Sequence, residues 1–189
     1  KGTHMAKKRL LIIGAGYAGL GLAKAMHKLC EVTLVDRHAD FFDNVASIRA
    51  IVDPSLAGQI IFPLQRFRFA RRIIQGDVTE VAPGGAVLAD GSRLEADIVV
   101  VATGSGYNSP FKLSGDSATL RQDLLRVNAE VQAAGKLAIV GGGAVGIELA
   151  GEIAAAMPGK SITLIAADSR LFPTYPQKLH DRLAAELKD

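Results

Sequence analysis

The sequence predicts an α/β fold in which two strand–turn–helix–strand units follow one another along the chain, and three observations predict it. Two short apolar strands, Leu10–Ile13 and Val32–Val35, flank a helical spacing of Leu20, Leu22, Ala23, Ala25, Met26 and Leu29. That order, completed within about 30 residues, is the compass of a right-handed βαβ unit with parallel strands. A glycine turn, Gly14-Ala15-Gly16-Tyr17-Ala18-Gly19, joins the first strand to the helix, and a second one, Gly141-Gly142-Gly143-Ala144-Val145-Gly146, recurs in the same setting between Leu137–Val140 and a helix over Ile147–Met157.

Taken in order, the elements between the two units are less regular. Phe41–Ile51 reads as a loop entering a short helix, which Asp53-Pro54 interrupts because the residue before proline is pushed out of the helical region. Arg72–Val81 reads as one strand. Ala86–Ala89 and Ser92–Leu94, joined by Asp90-Gly91, read as a hairpin with a type I′ turn. Ile98–Ala102 is a buried strand ending in Thr103-Gly104, and the Gly-, Ser-, Asn- and Pro-rich stretch 105–115 reads as a linker. Leu124, Val127 and Val131 place a helix over Leu120–Ala134, with Gly135 as its expected C-cap. Ser161–Ala166 closes the second unit, and an amphipathic helix over Gln177–Leu187 follows.

Composition bounds the function classes. The chain has 189 residues, 49% hydrophobic and 22% charged, enough to bury a core and unlike disordered, collagen-like or disulfide-built chains. Its 22 Lys+Arg against 19 Asp+Glu give a net charge of +3, too small to indicate a nucleic-acid partner. Apolar runs such as Ile98–Ala102 fall far short of the roughly 20 residues that span a bilayer, so no transmembrane segment is expected. Cys30 is the only cysteine, which excludes an intramolecular disulfide, a CxxC pair and a multi-cysteine metal site, and is read with a reducing, cytoplasmic setting. Lys1–His4 before Met5 is read as an expression-vector remnant, and Ala6 then denies the start the glycine of N-myristoylation.

In Gly14-x-Gly16-x-x-Gly19 the first glycine permits the tight turn, the second lets a pyrophosphate approach the backbone, and the third lets helix and strand pack closely. Asp36, at the end of the second strand, is placed to accept hydrogen bonds from ribose hydroxyls. The second turn has the same form, with Glu148 and Glu152 on its helix, but Ala166 stands where Asp36 stands in the first. Nothing there excludes a 2′-phosphate, and Arg170 is near enough in sequence to receive one, so NADPH is permitted alongside NADH; a solvated turn at Asp168 and Arg170 is the alternative.

Two such turns with Ala102-Thr103-Gly104 between them resemble the pyridine nucleotide–disulfide oxidoreductase superfamily over Lys7–Asp189. Phe41-Phe42-Asp43-Asn44-Val45-Ala46-Ser47-Ile48-Arg49-Ala50 is most similar to the apoptosis-inducing-factor-like ferroptosis suppressor group, relatives of type II NADH dehydrogenases. The resemblance implies a Rossmann-like FAD-binding domain, with a parallel sheet plus β-meander, followed by the first half of a second Rossmann-like NAD(P)H-binding domain. It also implies, for the full-length parent, hydride transfer from NAD(P)H to FAD and electron transfer onward to a quinone-type acceptor, with this chain expected to be an inactive or weakly active fragment. The chain then divides into 1–5, the FAD domain over 6–112, a linker helix over 113–135 and the partial NAD(P)H domain over 136–189, an N-terminal fragment expected to dimerise or swap domains through exposed sheet edges. Gly14, Gly16, Tyr17, Ala18, Gly19, Asp36, Arg37, Arg49, the backbone of Val78, Thr103 and Gly104 would meet FAD. Gly141, Gly143 and Gly146 would meet NAD(P)H, with Glu148 near the flavin–nicotinamide contact or else an exposed helix-face acid.

The disulfide-reducing branch needs a cysteine pair after the second strand, which is missing; Cys30 reads as a small buried apolar residue. No side-chain nucleophile or general base is required, and no conventional catalytic residue is assigned. Arg66-x-Arg68-x-x-Arg71-Arg72, interleaved with Phe67 and Phe69, reads as a solvated loop and strand edge with two buried phenylalanines. His27, His38 and His180 lack the partnered spacing of a metal site. A reductase of a small iron–sulfur carrier protein and a non-catalytic nucleotide-binding module are the competing functions.

Overall fold

A computed structural model of the chain describes residues 6–106 and 111–187; the expected vector remnant and part of the 105–115 linker lie outside these. The chain forms two compact units, each discontinuous in sequence: 1–42 with 61–120, and 43–60 with 121–189. This partition differs from the contiguous pieces 6–112, 113–135 and 136–189 because residues 43–60 group with the second unit rather than with their sequence neighbours.

The first unit is built on four parallel strands in the order β5-β2-β1-β9, namely β5 (Arg72–Gln75), β2 (Glu31–Asp36), β1 (Arg9–Ile13) and β9 (Ile98–Val101). The inner strands β1 and β2 are apolar at their centres, Leu10–Ile13 and Val32 with Leu34–Val35, because both faces are covered there; β9, expected to be buried, is instead an edge strand with Ile98 and Val101 exposed. On one face Leu10, Ile12, Val32 and Leu34 pack with Leu20 and Ala23 of helix α1 (Tyr17–Met26). On the other, Leu11, Ile13 and Val35 pack with Ala86 and Leu88 of an antiparallel meander, β6 (Val78–Ala82), β7 (Gly85–Leu88) and β8 (Arg93–Glu95).

Several expectations change here. The single strand over Arg72–Val81 is two strands in different sheets: the Gly76 N–H donates to Asp36 O at 2.8 Å, extending the parallel ladder, and the chain then turns into the meander. The hairpin turn is not type I′. Leu88 N–H donates to Ser92 O and Gly91 N–H donates to Leu88 O, leaving a three-residue loop in which only Gly91 has positive φ, +83°. A type I′ turn needs positive φ at both central residues, and Asp90 does not supply it. Phe41 belongs to a short strand, β3 (Asp40–Phe42), paired antiparallel with β4 (Ile61–Pro63). Phe67 and Phe69 are half-buried rather than buried, packed on the core's α1 face.

The second unit holds α2 (Ser47–Val52), a 3₁₀ turn at Pro54–Leu56, α3 (Ala57–Ile60), the greater part of α4 (Ser117–Ala133), and a parallel pair, β10 (Lys136–Val140) and β11 (Ser161–Ile165), linked by α5 (Ala144–Ala156) and followed by α6 (Gln177–Glu186). Its buried apolar side chains include Ile48, Ile51, Ile60, Leu124, Val127, Ile139, Leu149 and Ile153. Buried Asn128 donates through Nδ2 to Ile51 O at 2.7 Å, answering a carbonyl at the end of α2. Gly135 is not a left-handed cap, since its φ is not positive. Lys160 does that work instead, its Nζ donating to Gln132 O and Ala134 O at 2.8 Å each. Among the described residues no helix is long and apolar enough to cross a membrane.

Candidate functional site

The first glycine turn sits where β1 hands over to α1. Gly14 has φ +105° and donates its N–H to Val35 O at 2.8 Å, while a Cβ there would fall 2.4 Å from Ala102 O. A Cβ on Gly19 would fall 1.8 Å from Gly14 O, so the first turn of α1 lies directly on the end of β1. Gly16 differs: its φ is −77° and a Cβ would meet nothing within 4 Å. The protein leaves that approach open, as a cradle for a bulky anion requires. As N-cap, Gly16 offers no side-chain cap, and no acidic residue occupies the first turn of α1, so neither competes for the helix's amino-terminal N–H groups.

Asp36 closes the same site. Its Oδ2 accepts from the Ala15 N–H inside the glycine turn at 2.7 Å, and its Oδ1 accepts from the His38 N–H at 2.8 Å. The carboxylate is thereby fixed beside the turn with lone pairs left over for a ligand. Arg37 is exposed and paired with Asp77, Nε to Oδ1 at 3.2 Å, next to Val78 at the start of β6. Thr103 and Gly104, the latter at φ +70°, follow β9 on the far side of Gly14 and are exposed. Within the first unit the structure thus gathers the expected residues of the first turn at one end of the parallel sheet. Tyr17 lies edge-on to Phe41, ring centroids 5.2 Å apart, an arrangement that local sequence pattern does not reveal because the three-residue β3 is too short to show an alternation.

The second turn repeats the first in detail. Gly141 has φ +124° and donates to Ile165 O at 2.8 Å, a Cβ on Gly146 would fall 2.0 Å from Gly141 O, and a Cβ on Gly143 would meet nothing within 4 Å. Val35 and Ile165 receive equivalent bonds, so the residues after them, Asp36 and Ala166, are structural counterparts. Instead of a carboxylate bonded to the turn, Ala166 presents a methyl group against Gly142, where an added Cβ would sit 2.6 Å away. Arg170 is occupied: its guanidinium donates to Gln177 Oε1 and Tyr175 O, both at 3.0 Å, and to Pro173 O. It staples the loop 170–177, which differs from the free phosphate receiver expected from its position.

Arg49 and Glu148 meet within the second unit. With Val45, Ile48, Gly151, Glu152 and Ala155 they line a cavity of about 310 Å³. Arg49 Nε donates to Glu152 Oε2 at 3.2 Å. Glu152 follows Glu148 by one helical turn on α5, and that i, i+4 spacing was the signal that it shares the face. Neither the sequence pattern nor the resemblance pointed to the Arg49–Glu152 pair.

Residues 63–189 match the family described as pyridine nucleotide-disulphide oxidoreductase, and residues 12–72 match the NAD(P)-binding Rossmann-like domain. Apoptosis-inducing factor homolog A of Dictyostelium discoideum is 39% identical over 174 residues, covering 87% of this chain and 43% of that protein. Human ferroptosis suppressor protein 1 is 30% identical over 187 residues, covering 92% of this chain and 49% of that protein. The chain therefore spans less than half the length of these relatives. The sulfide:quinone oxidoreductase of Aquifex aeolicus shares the fold, with a TM-score of 0.72 at 19% identity over 95% of this chain and 49% of that one.

Proposed function

Because the chain belongs to the pyridine nucleotide–disulphide oxidoreductase family, we propose that its first glycine turn holds FAD, its second holds NAD(P)H, and the protein passes electrons from NAD(P)H through the flavin to a quinone-type acceptor. The observation that carries this reading is one turn built twice with two different strand ends. Asp36 offers a fixed carboxylate to the ribose of one dinucleotide; Ala166 leaves the other ribose unread, which tolerates a 2′-phosphate.

The residues divide the work accordingly. The backbone of Gly14–Gly19 and the amino terminus of α1 hold the FAD pyrophosphate, with Arg37, Val78, Thr103 and Gly104 around the adenosine side and the turn. Gly141, Gly143 and Gly146 do the same for NAD(P)H. Arg49 and Glu148, lining one cavity, are the proposed contacts of the reacting ends, with Arg49 oriented by Glu152. When bound, FAD supplies the hydride acceptor; the protein supplies alignment and exclusion of water. Cys30 is buried and is the only cysteine of these 189 residues, which therefore hold no dithiol pair; direct service of the acceptor by the flavin is part of the proposal.

An anaerobic titration of the complete, full-length protein loaded with FAD tests this. NAD(P)H is expected to bleach the flavin band and a water-soluble quinone to restore it. Failure to retain FAD, or a bound flavin that NAD(P)H leaves oxidised, contradicts the reading. Restoration by a small iron–sulfur protein but not by a quinone reassigns the acceptor.

A further inference from the structure

The basic run Arg66–Arg72 plays no part in the dinucleotide turns, yet the fold gives it company that the sequence did not reveal. β1, β2 and β5 run parallel, so the segments entering them converge at the edge opposite the glycine turn. There Lys7, His27, Arg68 and Arg71 line a cavity of about 340 Å³ whose remaining walls include Cys30, Val32, Phe69 and Ala70. Among the described residues Glu31 is the one carboxylate in the lining, and Arg71 is already paired with it. Among the described residues neither Lys7 nor Arg68 has an ion-pair partner.

The surroundings do not neutralise these cations. His27 Nδ1 donates to Lys24 O at 2.7 Å, which leaves Nε2 as the ring atom open to a further partner. The carbonyls at the end of α1, the negative pole of its dipole, are answered within the chain: Ala23 O accepts from His27 N–H, and Met26 O from Leu29 and Cys30 N–H. Three cationic side chains and a histidine thus face a cavity with a single, already engaged, counter-charge. Guanidinium groups match the oxygens of a phosphate in pairs, and a dianion answers this excess of charge better than a carboxylate. The volume lies at the lower end of small-ligand sites, about 300–1,000 Å³, too small for a second dinucleotide and suited to a phosphate with a small head.

We propose that this cavity binds a phosphomonoester dianion, carried either by a small soluble ester or by a lipid headgroup. The proposal is independent of the FAD and NAD(P)H assignments.

The test uses inorganic phosphate in a calorimetric titration, and flotation with phosphatidylcholine vesicles doped with phosphatidic acid, a phosphomonoester, or with phosphatidylglycerol, a phosphodiester of lower charge. Arg68→Glu and Lys7→Glu are compared with Arg93→Glu, an exposed arginine in β8 outside the cavity that makes the same charge change. Saturable phosphate binding, at least about tenfold weaker in either cavity variant and within about twofold of wild type in Arg93→Glu, is the expected result. Vesicle binding selective for phosphatidic acid and lost in the same variants supports the site with a lipid source; phosphate binding without it supports a soluble ester. No saturable binding of either probe, or equal losses in the cavity and control variants, overturns the proposal.

Discussion

At Gly19 an added methyl group would lie 1.8 Å from the carbonyl oxygen of Gly14, whereas at Gly16 it would meet no protein atom within 4 Å. Backbone cannot yield at the first position, so Gly19→Ala is expected to destabilise the protein by about 3 kcal/mol or to prevent folding. Gly16→Ala, at an ordinary negative φ, is expected to change stability by about 1 kcal/mol or less. Denaturant unfolding of the two variants measures the contrast, and equal losses would contradict the geometry. At this scale the sequence was largely legible, because the three glycines and Asp36 have fixed spacing and fixed reasons. What it hid were pairings across sequence: the Asp36–Ala15 bond, Arg49 with Glu152, and Arg170 turned into its own loop. Each depends on where a distant backbone runs, which no local pattern encodes.

Among the elements, β9 is tied to β1 at their shared amino-terminal end by a cluster around Arg9. Its N–H donates to Asp97 Oδ2 at 2.7 Å, and its guanidinium reaches Asp97 Oδ1 at 3.0 Å and Glu95 Oε2 at 2.8 Å. The Arg9 side chain, and then its N–H, hold the Asp97 carboxyl below its usual value. A depressed folded value stabilises the protein above the unfolded value, about 3.9, and this contribution is lost as pH falls through the lower folded one. Asp97→Asn is therefore expected to be less stable than wild type near neutrality, with the difference closing in acid; unfolding midpoints across a pH series check it. The groups are exposed, so the effect is small. The two βαβ units were legible because predominantly apolar strands and glycine turns mark them. The β3–β4 pair was not, since strands of three residues carry too few alternations, and the break at Gly76-Asp77 lies inside an otherwise continuous strand-like run.

Across the whole molecule the main organising fact is repetition: the same turn, the same bond from its first glycine to the neighbouring strand, the same open second glycine, in two compact units. The repeat was visible in the sequence; the membership of residues 43–60 in the second unit was not, because it follows from which distant segments lie together rather than from chain order. On the proposed reading the two turns hold two different dinucleotides. It is tested most directly by measuring retained flavin and NAD(P)H affinity in Gly16→Val and Gly143→Val, positions where the fold has room for a Cβ. Gly16→Val is expected to lose FAD while still binding NAD(P)H, and Gly143→Val to keep FAD while binding NAD(P)H at least about tenfold more weakly. The reverse pattern, or flavin and NAD(P)H binding unchanged in both folded variants, would contradict it.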